Sequence, residues 1–124
     1  MSKTIFLTAF YNQFAMFLDQ LIVVFPEDSD FPTYKSGLFL LQKTNPKLVP
    51  EQVVKHVSPF ETTIRARDEA FFKERGFPEY AEDNALDLIL QKMMTYWDTL
   101  TPENKAVIWD YVTLLLDLAK RCTV

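Results

Sequence analysis

Glycine, cysteine and histidine are scarce in this chain of 124 residues, which contains two, one and one of them, respectively. So few glycines argue against a β-rich fold with many tight turns and against a glycine-rich loop that cradles phosphate. The single cysteine excludes an intrachain disulfide and fits a reducing, intracellular compartment. These shortages set aside several common protein classes before any motif is considered.

An excess of basic residues is also missing. Thirteen Lys and Arg residues stand against 17 Asp and Glu residues, which gives a formal net charge of −4, and neither half of the chain is a basic arm. Because phosphate binding needs a basic face, this composition disfavours nucleic acid as the main partner.

Long uncharged apolar runs are absent as well. The opening stretch MSKTIFLTAFYNQFAMFL superficially resembles a signal peptide, but Asn12 and Gln13 interrupt it and Asp19 follows. No stretch reaches the roughly 18–20 uncharged apolar residues that a transmembrane helix needs. We therefore expect a soluble protein with no membrane span.

What the chain does contain is apolar residues at helical spacing, punctuated by seven prolines. Hydrophobic residues make up 48% of the chain, which is typical of a globular domain. No segment alternates with period two for long enough to indicate a strand. The sequence predicts an all-α fold, a compact bundle of five to six helices with short proline-marked loops, in a single domain spanning residues 1–124.

Proline and capping residues place the helix boundaries. The predicted helices cover about 4–25, 30–44, 50–57, 59–76, 83–99 and 102–121, with a break in the fourth near Arg67 and Asp68. Asp30 is the expected N-cap of the second helix, Gly76 the left-handed end of the fourth, and Thr101 the N-cap of the last. The buried stripe predicted for the first helix consists of Phe10, Phe14, Phe17, Leu18, Leu21 and Phe25. Ile22, Val23 and Val24 widen this stripe in the C-terminal half, which we expect to be buried on most sides.

The acidic turn FPEDSD, after the first helix, is the most conspicuous candidate for a ligand site. Counted from Asp28, a calcium loop of the EF-hand type needs glycine at its sixth position and glutamate at its twelfth, where this chain has Thr33 and Phe39. The acids instead suit the N-terminus of the next helix. We interpret the turn as a helix stop followed by a capped restart.

No other motif indicates catalysis or metal binding. His56 lacks partners at metal-ligand spacing, and Cys122 lies on the apolar side of the last helix, where packing is the simpler role. The carboxylates of Asp68-Glu69, Glu82-Asp83 and Asp87 fit solvated or capping positions. We predict no enzyme, no cofactor and no metal; a carboxylate site assembled by the tertiary fold is the least supported alternative.

Two features could form an interaction surface. The first helix is apolar around much of its circumference, so one surplus face could pack on a partner protein. The segment 65–77 interleaves basic and aromatic residues, as some single-strand-binding surfaces do, although acids cancel most of its charge. The candidate residues of these two surfaces are Phe6, Phe10, Tyr11, Arg65, Arg67, Lys73 and Arg75.

The order of several segments resembles a family of small all-helical proteins from large nucleocytoplasmic DNA viruses. The segments, which cover most of the chain, are FYNQFAMFLDQLIVVFPEDSD, KSGLFLLQKTNPKLV, VVKHVSPF, RDEAFF and ILQKMMTYWDTLTPENKAVIWDYVTLLLDLAK. The chain departs from the family pattern at Arg67, where Arg-Asp-Glu replaces an expected glycine–aspartate turn. Since the family has no assigned activity, the resemblance carries over no functional residue.

The resemblance implies a viral protein made in the host cytoplasm, with packaging in the virion as an open alternative. Together with the absence of a site motif, it leads to the hypothesis of a non-enzymatic helical protein that acts through contacts with viral or host proteins, including copies of itself. The alternative is a nucleic-acid-associated accessory protein that uses the basic–aromatic segment 65–77.

Overall fold

The structure, a computed structural model, describes residues 3–73 and 85–123, with side chains for residues 3–71 and 88–123. The helices are α1 (Lys3–Val24), α2 (Asp30–Thr44), α3 (Leu48–Val57), α4 (Glu61–Arg65), α5 (Ala70–Lys73), α6 (Ala85–Tyr96) and α7 (Pro102–Thr123), with 3₁₀ turns at Ser58–Phe60 and Trp97–Thr99. No strand occurs in the described ranges, and the prediction of a compact all-α fold is confirmed. The expectation for Gly76 lies outside the described residues.

Helix α1 lies between α2 and α7, and it supplies the largest group of core side chains. Phe10, Phe14, Phe17, Leu18 and Leu21 of the predicted stripe are all buried, since their spacing puts them on one side of the helix. Of the three residues predicted to widen the stripe in the C-terminal half, Ile22 and Val24 are partly buried against the core, so the prediction fails only at Val23. Val23 is 74% exposed, because neither α2 nor α7 covers the outward side of α1.

The neighbours of α1 run antiparallel to it. Lys35 of α2 donates a hydrogen bond to Asp19 at 2.6 Å, and the Tyr11 hydroxyl donates to the carbonyl of Pro46 at 2.6 Å. On the other side, Phe17 stacks on Tyr111 of α7 with ring centroids 5.3 Å apart. These contacts fix the register of the three helices along their axes.

Length and composition alone qualify α1 as a candidate membrane span, contrary to the expectation that Asp19 disqualifies the segment. Core helices of soluble proteins and N-terminal signal sequences share those properties. In this fold α1 serves as a core helix, with seven buried side chains.

The turn between α1 and α2 is capped by a different residue from the one predicted. Asp30 is the first residue of α2, and its amide donates to Oδ1 of Asp28 at 2.9 Å. Asp28, two residues earlier, therefore satisfies the free amide that the helix start leaves. The predicted start of α7 is confirmed, because the Asn104 amide donates to Oγ1 of Thr101 at 3.2 Å and Pro102 opens the helix.

The break predicted near Arg67 is also present. Arg67 has a φ of 54°, a left-handed conformation that separates α4 from α5, and the Asp68 carboxylate accepts the amide of Ala70 at 3.0 Å. Side chains with a Cβ are strained in this conformation, whereas glycine is not. Arginine thus occupies a position at which the chain would favour glycine.

The remaining helices close the core on the inner side of α1. Helices α3 and α4 pack on α7, while α6 packs on α2. An apolar cavity of about 30 Å³ remains where α1, α3, α6 and α7 meet, and Phe14, Val57, Met93 and Val112 are among its lining residues. Buried side chains from all of these helices form one cluster.

Relief of the strain at Arg67 is a testable consequence. We expect Arg67→Gly to unfold at a higher urea concentration than Arg67→Ala, by about 1 kcal/mol, since only glycine adopts a positive φ without cost. Both variants lose the ion pair with Asp110, so the difference between them isolates the backbone term. Equal midpoints would contradict this account.

Filling the apolar cavity should stabilise the fold. Val112→Ile adds one methyl group at its wall, and we expect a gain of about 0.5–1 kcal/mol in the free energy of unfolding. Val107→Ile, which adds the same group beside an open surface hollow, is the matched control and should change little. Thermal unfolding followed by circular dichroism measures both.

Candidate functional site

Two of the predicted surface residues belong to the core. Phe10 is fully buried and Tyr11 almost so, because the rings pack edge to face 5.4 Å apart under the cover of the neighbouring helices. Burial, and then the nearby Cys122 thiol, raise the pKa of Tyr11 to about 12. The prediction that these two residues form part of an interaction surface is therefore wrong.

Phe6 is half-buried at the edge of the same helix. The guanidinium of Arg121, near the end of α7, lies 5.4 Å from the centre of its ring. A cation over an aromatic face is a favourable contact at an exposed site. Phe6 thus helps to attach the end of α7 to the start of α1, and part of its ring is covered.

The two predicted surface arginines are exposed but paired with carboxylates. Arg65 donates to Glu61 at 2.8 Å and to Asp117 at 2.6 Å, and Arg67 pairs with Asp110. Asp110 and Asp117 belong to α7, so these pairs join α4 and the turn after it to that helix. The hydrogen bonds that Arg65 donates to Glu61, and then to Asp117, raise the pKa of Arg65 and hold it cationic.

These pairings weaken the nucleic-acid alternative. A phosphate approaching Arg65 or Arg67 would compete with a carboxylate already in place, within a hollow of about 390 Å³ that Asp110 and Asp117 also line. The net charge of this hollow is therefore close to zero, whereas phosphate binding needs a positive one. The side chain of Lys73 and all of Arg75 lie outside the described residues.

The acidic turn forms the most extensive polar network on the described surface. The Asp28 carboxylate, with only 8% of its side chain exposed, accepts from the Tyr96 hydroxyl at 2.5 Å and from Lys92 at 2.9 Å. Lys92 also reaches Asp30 at 2.8 Å, and the Phe25 ring stacks on Tyr96 with centroids 4.2 Å apart. One corner of the bundle is thereby attached to α6.

The protonation of this network suits a structural clamp better than acid–base catalysis. The hydrogen bond from Tyr96, and then that from Lys92, lowers the pKa of Asp28, and the hydrogen bond to Asp28 raises the pKa of Tyr96. The hydrogen bonds that Lys92 donates to Asp30, and then to Asp28, raise the pKa of Lys92. A carboxyl group active as a general acid needs its pKa raised instead, towards the working pH. Asp28 is held as a carboxylate, and its partners are held protonated.

Other chemistry-bearing groups are dispersed. No group of three or more His, Cys, Asp or Glu side chains that could hold a metal ion occurs among the described residues. Cys122 is buried, which raises the pKa of its thiol and keeps it from acting as a thiolate nucleophile near neutral pH. The carboxylates Glu82, Asp83 and Asp87 lie outside the described side chains.

Large apolar side chains are exposed on the outward side of α1 and α2. Ile5, Met16 and Val23 of α1 are spaced by 11 and 7 residues, about three and two helical turns, so they form one line along the helix. Phe39 and Leu40 of α2 are 42% and 62% exposed. We call these five residues the hairpin face.

Sequence reasoning missed both the clamp and the hairpin face. Asp28 and its partners Lys92 and Tyr96 are 64 and 68 residues apart, and no local pattern links them. Ile5, Met16 and Val23 have a helical spacing that is visible in the sequence. The predicted surface of α1 was instead assigned to aromatic residues on its other side. The exposure of Phe39 and Leu40 could also be predicted, because they follow the buried Leu38 and consecutive residues of a helix point in different directions.

Comparison of the chain with models of protein families, with curated proteins and with solved structures finds no match. The fold and the surface together define an all-α protein with a polar clamp at one corner and an exposed apolar face on two adjacent helices. Its function has to be argued from those two features.

The clamp predicts a pH-dependent loss of stability. The folded pKa of Asp28 is below its ordinary value of 3.8, so the carboxylate stabilises the fold above that pH and the contribution is lost as pH falls through the folded pKa. We expect Asp28→Asn to cost about 2 kcal/mol near neutral pH, since it weakens hydrogen bonds from a cation and a hydroxyl.

The difference in unfolding free energy between the native chain and Asp28→Asn should shrink as pH falls below about 4. Urea titrations at a series of pH values measure it. Asp19→Asn, which removes an exposed carboxylate from a surface ion pair, is the control and should cost less than about 1 kcal/mol. A pH-independent difference for Asp28→Asn would contradict the clamp.

Proposed function

We propose that this chain is a non-enzymatic helical protein that works through contacts with other proteins, as a virion component or as a factor engaged during infection. The hairpin face is the observation that carries the proposal. Its five large apolar side chains lie on two adjacent helices, and Met16, Val23 and Leu40 are each at least half exposed. Large apolar side chains exposed on adjacent helices are a feature of protein interaction sites.

The polar surroundings support a contact surface as well. Lys35 lies between the two helices, paired with Asp19 and 5.8 Å from the centre of the Phe39 ring. A charged pair among exposed apolar side chains is compatible with the mixed polar and apolar composition of non-obligate protein interfaces. The viral setting rests on the resemblance of the ordered segments to the family of large DNA viruses.

Partner capture tests the proposal. We expect the tagged native chain to capture a specific viral or host protein from infected cells, and to be present in purified virions if it is a structural component. Phe39→Ser with Leu40→Ser should lose that partner, because the two changes remove the most exposed apolar part of α2.

The matched control is Leu88→Ser, which removes an exposed leucine from α6, a helix that carries no residue of the hairpin face. It should retain the partner captured by the native chain. The proposal fails if the native chain captures nothing and is absent from virions, or if both sets of substitutions lose the partner equally while remaining folded.

A further inference from the structure

We propose that α6 is a hinged lid over an apolar binding site, which is the cavity enclosed by α1, α3, α6 and α7. The closed site takes one small apolar molecule that has no hydrogen-bonding group. The lid opens about its C-terminal end, and the ion pairs of Lys92 with Asp28 and Asp30 are its latch. This site shares no residue with the hairpin face, so a failure of either proposal leaves the other untouched.

The chemistry of the cavity wall defines the class of ligand. Every described residue that lines the cavity is apolar, including Phe14 and Phe17 of α1 and Ile89, Leu90 and Met93 of α6. Water is disfavoured in such a cavity because it would find no hydrogen-bond partners, whereas xenon or a small hydrocarbon can bind there. A molecule with a polar group would lose its own hydrogen bonds to water and gain none.

The volume of the cavity limits the size of the ligand. It measures about 30 Å³, whereas an engineered apolar cavity of about 150 Å³ in another protein is needed to hold benzene. The closed site therefore takes a single atom or a group of about the size of a methyl. Met93 at its wall has an unbranched, flexible side chain that adjusts to a slightly larger guest, so xenon is a suitable probe.

A ligand can enter this cavity only if a wall moves. Except for Val112, which is half-buried, the lining side chains are at most 5% exposed, so the closed fold covers the cavity. Helix α1 packs on α2 and α7, and α3 packs on α7, so these four helices hold one another without α6. Helix α6, which packs on α2, α3 and the short α5, is the wall whose displacement disturbs the other contacts least.

The cavity itself weakens the attachment of α6. It lies beneath Ile89, Leu90 and Met93, three buried side chains of this helix. Where a gap separates apolar surfaces, the atoms on both sides lose dispersion contacts. The underside of α6 is thus incompletely packed, and a segment with few tight apolar contacts opens at a lower free energy than the whole domain.

The C-terminal end of α6 is held more firmly and forms the hinge. Trp97, in the 3₁₀ turn that follows the helix, is fully buried, and its ring packs edge to face against Trp109 at 5.4 Å. Tyr96, the last residue of α6, stacks on Phe25. One turn earlier, Lys92 pairs with Asp28 at 2.9 Å and with Asp30 at 2.8 Å. Lifting the first half of the helix about this end has to break the two ion pairs.

Hydrogen exchange measures the opening of the lid in the native chain. We expect the backbone amides of residues 90–96, corrected for their intrinsic rates, to exchange at least about tenfold faster than the slowest amides of α1 and α7. Equal protection of the three helices would mean that α6 opens only together with the whole domain, and the lid would be overturned.

Removal of the lysine tests the latch. Lys92→Met keeps the length of the side chain and removes both ion pairs, so the amides of α6 should exchange at least about tenfold faster than in the native chain. Lys35→Met, which removes the ion pair between α2 and α1, is the matched control and should leave α6 unchanged. Equal effects of the two substitutions on α6 would contradict the latch.

A change far from the lid tests whether α6 opens by itself. Tyr11→Phe removes the hydrogen bond to the carbonyl of Pro46, and Tyr11 does not line the cavity. We expect the slowest amides of α1 and α7 to exchange about fivefold faster, because this bond breaks only when the whole domain unfolds. The amides of α6 should keep their native rates, and an equal acceleration of α6 would overturn the lid.

Xenon tests the binding site. Under xenon pressure, we expect saturable changes in the chemical shifts of the methyl groups of Val57 and Ile89, together with slower exchange in α6, since a ligand of the closed state holds the lid shut. Val112→Ile fills the cavity and should reduce both effects at least about fivefold. Val107→Ile, beside a surface hollow, should retain them.

The binding site is overturned if the native chain shows no saturable shifts, or if Val112→Ile and Val107→Ile respond equally to xenon. Circular dichroism verifies that each variant is folded before exchange or xenon binding is compared.

Discussion

Covering the apolar side chains of α1 is the constraint on which the rest of the fold depends. Seven of its residues are buried, and they are supplied by one continuous helix that cannot turn back to cover them itself. Helices α2 and α7 cover its flanks, while α3 and α6 close the inner side over Phe14 and Phe17. The short turn at residues 25–29, which contains Pro26, returns the chain to pack α2 against α1 in few residues. The outward side of α1 is left uncovered, which is why Met16 and Val23 remain exposed.

Much of the fold could be predicted because its signals are local. The bounds of α2, the start of α7 at Pro102, and the break at Arg67 each follow from proline, from a capping hydroxyl or from helical spacing within a few residues. The burial of Ile89, Leu90 and Met93 follows from their helical spacing on α6, and Trp97, in the 3₁₀ turn after α6, continues the same pattern. Errors arose where a local pattern fits more than one environment. Phe10 and Tyr11 are apolar or amphipathic residues on a helix apolar on most sides, and only the packing of α7 and the 45–47 turn decides that they are interior.

The candidate site was much less predictable, since its contacts join residues distant in sequence. In the sequence, Asp28 could be a ligand residue, a cap or a clamp. The tertiary structure shows that it caps the amide of Asp30 and accepts hydrogen bonds from Lys92 and Tyr96 of α6. The arginines at 65 and 67 look like a basic surface until Asp117 and Asp110, 52 and 43 residues later, are placed beside them. The charge pattern of one segment therefore says little about the surface potential of a bundle in which ion pairs join residues of different helices.

Cys122 has a practical consequence. It is the chain's single thiol, and it is buried near Tyr11, where α7 ends against α1. Because only 8% of the residue is exposed, an alkylating reagent reacts with it fastest when that end of the helix detaches or the whole domain opens. The rate of modification of the native chain, without any introduced probe, therefore reports the free energy of this opening. In the intact protein, the reactivity of this thiol thus measures the stability of the contact between the two longest helices.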